Sequence, residues 1–182
     1  MDRRQFIATG VGTAAALVSR GVAAQPRADE PTSDAGTRLP QSVRRWCFPK
    51  HSLTDLCAIA KRCSVQSVEL LDPEDIERVR ESGLQCAIAN GPCTITKGLN
   101  RLEQHDAIVR KAETLFPQIA KAGRGLVIVF AGNRARLDDS TGLWNCNVGL
   151  RRLIPIAEAN NLQIAMELLN SKVDHKDHMG DR

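Results

Sequence analysis

Aromatic residues are scarce in this chain, and tyrosine is absent. Phe, Trp and Tyr together make up 3% of the 182 residues. Proteins that bind single-stranded nucleic acid stack the bases on several exposed rings, so this composition argues against that class. The formal net charge of +4 is also small. A nucleic-acid partner is therefore not expected.

The motifs of several well-known sites are missing as well. No G-x-G-x-x-G follows the first predicted strand, no C-x-x-C pair occurs, and there is no phosphate loop or nucleophile elbow. These absences argue against a dinucleotide site, a zinc site of the Cys/His type and a serine hydrolase. The cysteines are interpreted as small apolar residues; they are Cys47, Cys57, Cys63, Cys86, Cys93 and Cys146.

The first 24 residues have the pattern of an export signal. Arg3 and Arg4 form a twin-arginine pair, a weakly apolar run follows over residues 7–18, and small residues end at Ala24. We predict cleavage after Ala24 and a periplasmic location. The run is shorter than the ~20 residues of a membrane-spanning helix, so no membrane attachment is expected after cleavage. The alternatives are a cytoplasmic amphipathic N-terminus and a short uncut anchor.

Cleavage would remove three arginines and one aspartate, a net +2, and would leave the mature chain near +2. Residues 25–41 are rich in Pro, Asp, Ser, Thr and Gly and are predicted to form a flexible linker. Residues 42–182 are predicted to form the folded domain.

Short apolar runs alternate with helical patterns throughout that domain. The predicted strands are Val43–Phe48, Ser67–Leu71, Leu84–Ala89, Leu126–Ala131 and Leu162–Asn170. The last of these is expected to be buried on both faces. Four helices are predicted between the strands, beginning at Ser52, Asp72-Pro73, Asn100 and about Thr141. Pro117 and Pro155 are expected to kink or split the third and fourth helices.

Alternation of strands and helices indicates a parallel sheet covered by helices. An open doubly wound sheet and part of a (β/α)8 barrel both fit the pattern. A complete barrel takes ~250 residues, whereas the region from Val43 onward supplies 140. We therefore predict an α/β fold, a partial (β/α)8 TIM barrel with about five β/α units.

In such folds the functional residues follow the C-terminal ends of the strands. Those positions hold Trp46, Phe48, Glu69, Asn90, Asn133, Arg134, Glu167, Asn170, Lys172 and His175. Glu167 lies in an apolar run and needs a partner if it is buried, for which a divalent metal is one possibility and solvent exposure the alternative. Asn90 has the alternative role of holding an Asn-Gly-Pro turn. The His and Asp residues of 175–181 do not by themselves predict a metal site.

Several motifs together resemble one family. They are Gln41-Ser42-Val43 with Arg45-Trp46-Cys47-Phe48, Asn90-Gly91-Pro92, Gly98-Leu99-Asn100 with His105-Asp106, Ala131-Gly132-Asn133-Arg134, and the run from Met166 to His175. From about Gln41 onward the chain resembles hydroxypyruvate isomerase, within the xylose-isomerase-like TIM-barrel superfamily. Residues 42–182 are accordingly expected to be the N-terminal part of such a barrel.

The resemblance implies interconversion of hydroxypyruvate and 2-hydroxy-3-oxopropanoate by enediolate proton transfer assisted by Mg²⁺ or Mn²⁺. It implies that Glu167 is both a metal ligand and the catalytic carboxylate. The expected substrate-binding residues are Trp46, Asn90, Asn133, Asn170 and Lys172. Lys172 is expected to meet the substrate carboxylate.

The ligands that the family places on its sixth, seventh and eighth strands have no counterpart here. The metal is therefore expected to be incompletely ligated and this chain, taken alone, to be inactive. Other sugar isomerases and epimerases, an endonuclease of the same superfamily that acts at abasic sites, and a non-catalytic exported binding domain are the alternatives. The expected partner is a small hydroxy-keto acid or sugar, and a homo-oligomer is considered.

Overall fold

The computed structural model describes residues 39–123 and 125–180, so the predicted leader and most of the predicted linker lie outside the described residues. The strands are β1 (Ser42–Arg44), β2 (Ser67–Glu69), β3 (Gln85–Cys86), β4 (Leu126–Val129) and β5 (Gln163–Met166). The α-helices are α1 (Leu53–Arg62), α2 (Pro73–Glu81), α3 (Leu102–Lys121) and α4 (Asp139–Ala159). The predicted alternation is confirmed, with shorter strands than predicted. β1 ends early because Arg45–Cys47 turns into a 3-10 helix.

Local capping signals correctly placed the first two helices. The Ser52 hydroxyl accepts a hydrogen bond from the Asp55 backbone N–H and donates one to the Asp55 carboxylate, as expected for the first turn of α1. Pro73 is the first residue of α2, where its missing N–H costs nothing. The apolar residues of each helix that recur at helical spacing are buried; they are Leu53, Leu56, Cys57, Ala60, Ile76 and Val79.

Two predictions about the longer helices are corrected. Neither helix is split, because α3 and α4 run without a break through Pro117 and Pro155; a kink at either proline stays a prediction. Both prolines are exposed, so water can solvate the carbonyl that each leaves unpaired, while buried neighbours such as Phe116 hold the helix on the core. Asn100 does not cap α3, whose N-cap residue is Arg101.

Asn100 is instead buried, at 1% exposure. Its side-chain amide donates to the Asn133 carbonyl over 2.7 Å, and its own carbonyl accepts from the Asn145 amide over 2.9 Å. Next to it, a ring nitrogen of buried His105 lies 2.8 Å from the Leu99 carbonyl oxygen. These polar side chains connect the loop before α3 to α4, and so fix the framework around the C-terminal ends of the strands.

Strand order decides between the two predicted architectures. β1, β2 and β3 pair in parallel, and so do β4 and β5. Ala89 joins the two groups by parallel bridges to Leu71 and to Val127. The spatial order is therefore 1-2-3-4-5, in which every connection advances in the same direction. An open doubly wound sheet reverses direction at a switch point, so the fold is the partial (β/α)8 barrel.

The two faces of the sheet differ in burial. Val68, Val127 and Val129 are 0% exposed and face the helices. Their neighbours along the strands face the barrel interior, where Arg44, Glu69 and Glu167 lie together with Ile128 around a cavity of about 240 Å³. Polar residues on this inner face leave the interior open.

The expectation that the fifth strand is buried on both faces was wrong. Gln163 is exposed and the other three residues of β5 are half-buried. In the described part of the chain β5 pairs with β4 alone, so its second edge is open. Beside it α4 exposes Leu143, Trp144 and Ile154. None of the described helices is both long and apolar enough to cross a membrane.

Candidate functional site

The C-terminal ends of β1, β2, β4 and β5 surround a cavity of about 380 Å³, here called the mouth cavity. Its lining residues are Arg44, Trp46, Leu70, Ile95, Phe130, Glu167, Leu169 and His175. The cavity is apolar over most of its wall, with a few charged groups and one indole, which is the usual composition of a small-molecule site.

Two charged residues of its lining, Arg44 and Glu167, also line the cavity of about 240 Å³ in the barrel interior, where they meet Glu69. Arg44 lies opposite Glu69 in the register of β1 and β2. The Arg44 Nε donates to Glu69 Oε1 over 3.1 Å, and Arg44 Nη2 donates to Glu167 Oε1 over 3.4 Å. The hydroxyl of Ser42 donates to the other Glu69 oxygen over 2.9 Å. We call Arg44, Glu69 and Glu167 the charge triad; it connects the first two strands to the fifth across the interior.

Trp46 forms the rim of the mouth cavity. Because β1 ends at Arg44, the 3-10 helix that follows places the indole over the cavity, 63% exposed. The Arg44 guanidinium carbon lies 6.0 Å from the centre of the Trp46 ring, at the limit of a cation–π contact. The indole and the guanidinium are therefore neighbours at the rim of the mouth cavity.

Leu70 has strained backbone at the end of β2. Its φ is +61°, a left-handed value that a non-glycine residue adopts at a cost. The conformation is held by a 2.8 Å hydrogen bond from the Leu70 N–H to the Ile88 carbonyl. It lets Leu70 line the mouth cavity directly after Glu69, which enters the charge triad.

His175 reaches the mouth cavity from the segment after β5. This segment, residues 170–180, is here called the C-terminal strap. Asp177 fastens it to the loop after β4, accepting from Arg134 N over 2.6 Å and, through its carboxylate, from Ala135 N over 3.1 Å. Met179 N donates to the Gly132 carbonyl over 3.0 Å. The strap therefore holds His175 on the same side of the cavity as Glu167.

Asn90 lies in an adjoining cavity of about 540 Å³ that also contacts Trp46. Its side-chain amide donates to Asp72 Oδ1 over 3.0 Å. Asn90 therefore lines a cavity, and its side chain bonds to the N-cap residue of α2, a contact that the sequence did not predict. Its role in the Asn-Gly-Pro turn stays a prediction. Cys93 lines the same cavity, but burial raises the pKa of its thiol and its sulfur accepts from Phe130 N, so it is a packing residue.

The structure brings Trp46 and Glu167 together, with Asn90 next to them, and places the other predicted site residues elsewhere. The backbone of Asn133 bonds to Thr96 and Asn100, beneath the strap. The Asn170 side chain accepts from the Lys172 and Val173 amides and so shapes the turn after β5. Lys172 is exposed. Asn133, Asn170 and Lys172 are not among the residues that line the mouth cavity.

A divalent metal does not fit the donor set around Glu167. Within residues 39–123 and 125–180, no three His, Cys, Asp or Glu side chains lie close enough to hold a metal ion. Mg²⁺ prefers near-octahedral coordination by oxygen atoms, whereas Glu167 has Arg44 as its cationic partner. Of the other acidic and histidine residues near the C-terminus, Asp177 bonds to the loop after β4, and Asp181 lies outside the described residues.

Reasoning from the sequence missed Arg44. It alternates with Val43 in β1, so the period of two does place it on the inner face. The run Arg44-Arg45 nevertheless looks like an ordinary solvated pair, and no local signal identifies a partner 123 positions away. His175 was recognised as a strand-end residue, but its position depends on the strap.

Comparison with known proteins supports the fold. No family model matches the chain, and neither does any curated protein sequence. Solved structures do match. An AP endonuclease of family 2 from Brucella melitensis superposes with a TM-score of 0.66 and 13% identity, over 78% of this chain and 59% of that one. A D-psicose 3-epimerase from Clostridium cellulolyticum H10 superposes with a TM-score of 0.60 and 9% identity, over 75% of this chain and 55% of that one.

A xylose isomerase domain protein from Salmonella typhimurium LT2 gives a TM-score of 0.52 and 17% identity, over 74% of this chain and 51% of that one. This chain thus spans between half and three-fifths of the length of each of these proteins. At such low identities the likeness shows a shared barrel fold.

Proposed function

We propose that this chain supplies part of the active site of an isomerase that moves a proton between adjacent carbons of a small hydroxy-carbonyl compound, with hydroxypyruvate as the first candidate. One observation carries the proposal. Glu167, a carboxylate with 18% of its side chain exposed, lies at the end of the fifth strand on the wall of the mouth cavity. Catalytic groups of barrels occupy this position.

The chemistry assigned to Glu167 is that of a general base. Its carboxylate would take a proton from the carbon next to the carbonyl, and the electron pair left behind would form the enediolate double bond. Return of that proton to the former carbonyl carbon, together with transfer of the hydroxyl proton from the oxygen that becomes the new carbonyl to the oxygen of the old one, completes the isomerisation without an oxidant or a reductant. The bond from Arg44 holds one Glu167 oxygen in place and leaves the other for this transfer.

The mouth cavity, at about 380 Å³, lies at the small end of the range of about 300–1,000 Å³ for ligand pockets, so it suits a small substrate. Trp46 would cover one face of the substrate and Asn90 would contact it from the adjoining cavity. Roles for Asn133, Asn170 and Lys172 remain predictions, as does export to the periplasm. A role in substrate binding would require the strap to move Asn170 and Lys172, and the loop after β4 to move Asn133, closer to the cavity.

A sugar epimerase is the second candidate, and Trp46 favours it. Its ring is 63% exposed at the rim of the cavity, although aromatic residues are rare in this chain. An exposed indole beside carboxylate acceptors suits the apolar face and hydroxyl groups of a sugar. The Clostridium structure with a similar fold is named as a D-psicose 3-epimerase. Both candidates begin with removal of a proton from a carbon next to a carbonyl. The isomerase returns the proton to the neighbouring carbon, whereas the epimerase returns one to the same carbon from the opposite face.

The test measures binding through Trp46 fluorescence. The chain has two tryptophans, and Trp144 is 65% exposed on α4, away from the mouth cavity. Trp144→Phe therefore leaves Trp46 as the reporter. We expect a saturable fluorescence change with hydroxypyruvate that is weakened by Glu167→Gln and retained in Asp174→Asn, an exposed strap residue. A saturable change with D-psicose instead would favour the epimerase, and no change with either compound would overturn the proposal.

Turnover is the second measurement. Glu167 alone is not expected to complete the reaction without further catalytic groups. The purified 182-residue chain should therefore bind hydroxypyruvate but show no conversion of it above the rate in buffer. Measurable turnover with Mg²⁺ or Mn²⁺ added would contradict this expectation. It would show that the groups present here are sufficient.

A further inference from the structure

Arg44 is a charged residue at the mouth cavity for which the proposed proton transfer assigns only a positioning role. Its guanidinium donates to two carboxylates from different strands, over 3.1 Å to Glu69 and 3.4 Å to Glu167. The Trp46 ring lies on one side of it. An arginine between two carboxylates at the base of a cavity occupies the place where a cation would bridge them.

We propose that Arg44 is the resident cation of this site, and that its guanidinium holds Glu69 and Glu167 in place of a divalent metal ion. The role of Arg44 in catalysis rests on the proposed function. The exclusion of a metal ion by Arg44 rests only on the geometry of the charge triad.

The first argument is the number of ligands. A divalent ion bound between Glu69 and Glu167 would need several more oxygen or nitrogen donors. Within the described ranges 39–123 and 125–180 no third acidic, histidine or cysteine side chain completes such a group. His175 lines the mouth cavity with Arg44 and Glu167, but it does not form a metal-binding group with the described carboxylates.

The second argument is charge. Two carboxylates and one guanidinium leave the charge triad at a formal −1, whereas a divalent ion placed beside Arg44 would be repelled by it. Guanidinium groups stay charged in proteins and present several N–H donors in a fixed plane, so one Arg44 can bond to both carboxylates at once. To bind there, a metal would have to displace Arg44 from both.

The third argument is how firmly Arg44 is positioned. Its backbone belongs to β1 in register with Glu69, and Ser42 fixes the Glu69 carboxylate by a 2.9 Å hydrogen bond. The Trp46 ring centre lies 6.0 Å from the guanidinium carbon. Because 44% of the Arg44 side chain is exposed, these contacts orient it between the two carboxylates and add little stability.

The consequence for the proposed reaction is specific. When a proton leaves carbon, the carbonyl oxygen takes up negative charge, and a fixed donor nearby stabilises it. Arg44 has five N–H donors, of which two are used in the bonds to Glu69 and Glu167. Its remaining N–H groups are the donors we assign to that oxygen.

The experiment measures Mn²⁺ binding by the loss of the free-ion electron paramagnetic resonance signal, without any organic ligand. The full chain is compared with Arg44→Gln, Arg44→Lys and Arg78→Gln. Arg44→Gln removes the positive charge, whereas Arg44→Lys keeps it. Arg78 is the matched control, because it is an exposed arginine that pairs with Asp75 on α2.

We expect the unmodified chain to bind Mn²⁺ weakly, without dependence on Glu167. Arg44→Gln should bind about ten-fold more tightly because the repulsion is removed. Adding Glu167→Gln to it should abolish the gain, and Arg44→Lys and Arg78→Gln should behave like the unmodified chain. Tight binding by the unmodified chain that Glu167→Gln removes would overturn the inference, and so would an Arg44→Gln variant that folds but gains no affinity.

Circular dichroism establishes whether Arg44→Gln is folded. If Arg44→Gln is unfolded, the unmodified chain is compared with its Glu167→Gln variant. Mn²⁺ binding that depends on Glu167 contradicts the inference, and binding that does not depend on Glu167 supports it. Failure here is distinct from failure of the proposed function. A chain that binds Mn²⁺ through Glu167 and also binds hydroxypyruvate would keep its isomerase role and lose only the role given to Arg44.

Discussion

Arg44 of the first strand and Glu167 after the fifth are 123 positions apart in the chain, and Arg44 Nη2 lies 3.4 Å from Glu167 Oε1. The contact crosses the barrel interior and joins the two outermost strands of the described sheet, whose order is 1-2-3-4-5. It therefore has a structural role as well as the one proposed in the site.

Replacing Arg44 by Ala should lower the free energy of unfolding modestly. The arginine side chain is 44% exposed and its two partners 21% and 18%, so water screens the pairs and we expect a loss of about 1 kcal/mol. Urea unfolding followed by circular dichroism measures it. Arg78→Ala, whose ion pair is more exposed, is the control and should cost less. Equal losses in the two variants would show that the charge triad adds no stability.

Gly91→Ala should be strongly destabilising. A Cβ on Gly91 would overlap the backbone carbonyl oxygen of Ile128, which cannot move without shifting β4. We expect a loss of more than about 2 kcal/mol. Gly125→Ala is the matched control, since a Cβ there meets nothing within 4 Å. Thermal unfolding of the two variants makes the comparison, and similar midpoints would mean that the loop after β3 does not pack on β4 as described.

Asp138 should make stability depend on pH in the acid range. Its carboxylate caps α4, and hydrogen bonds from Ser140 and Thr141 lower its pKa. A lowered pKa in the folded state stabilises the protein above the ordinary pKa, and this contribution is lost as the pH falls through the folded-state value. Asp138→Asn keeps a capping oxygen without the charge.

The measurement for Asp138 is the unfolding midpoint between about pH 2 and pH 7. The difference between the unmodified chain and Asp138→Asn should be largest at neutral pH and should shrink towards the acid end. Asp138→Ser, a second uncharged cap, should follow the Asn variant. A difference that stays constant with pH would show that the carboxylate charge is not involved.

Thiol reactivity should separate exposed from buried cysteines. Cys47 and Cys63 are exposed, whereas burial raises the pKa of Cys146 to about 11. At pH 8 we expect an aromatic disulfide reagent to modify Cys47 and Cys63 first and Cys146 only under denaturing conditions, because the thiolate is the reactive form. Peptide mass spectrometry identifies the modified positions. Fast labelling of Cys146 would indicate that α4 opens from the core.

Ile154→Lys should reduce self-association. Ile154 is 42% exposed and lines an apolar groove of about 510 Å³ between α4 and the open edge of β5. Exposed apolar surface beside an unpaired strand edge promotes association. Sedimentation velocity at increasing concentration should show less association for the variant than for the unmodified chain. Gln118→Lys, on the exposed side of α3, adds the same single charge and should leave the association unchanged.

Local features were predictable from the sequence because their causes are local. The N-cap at Ser52 depends on its contact with Asp55 three residues on, Pro73 is the first residue of α2, and the buried face of α1 follows from a spacing of 3.6 residues. The predicted burial of both faces of β5 was wrong for the opposite reason. An apolar run shows that a strand prefers an apolar environment, but the neighbours that would supply it are distant in sequence.

The sequence by itself determined the alternation of five strands with four helices, the start of the first two helices and the position of Glu167 at a strand end. Only the tertiary structure decided that the strands follow the order of a barrel, that the strap carries His175 to the mouth cavity, and that Glu167 is paired with Arg44. Periodicity and capping act over a few residues. Strand order and charge pairing arise when distant segments meet, and their outcome depends on the whole packed chain.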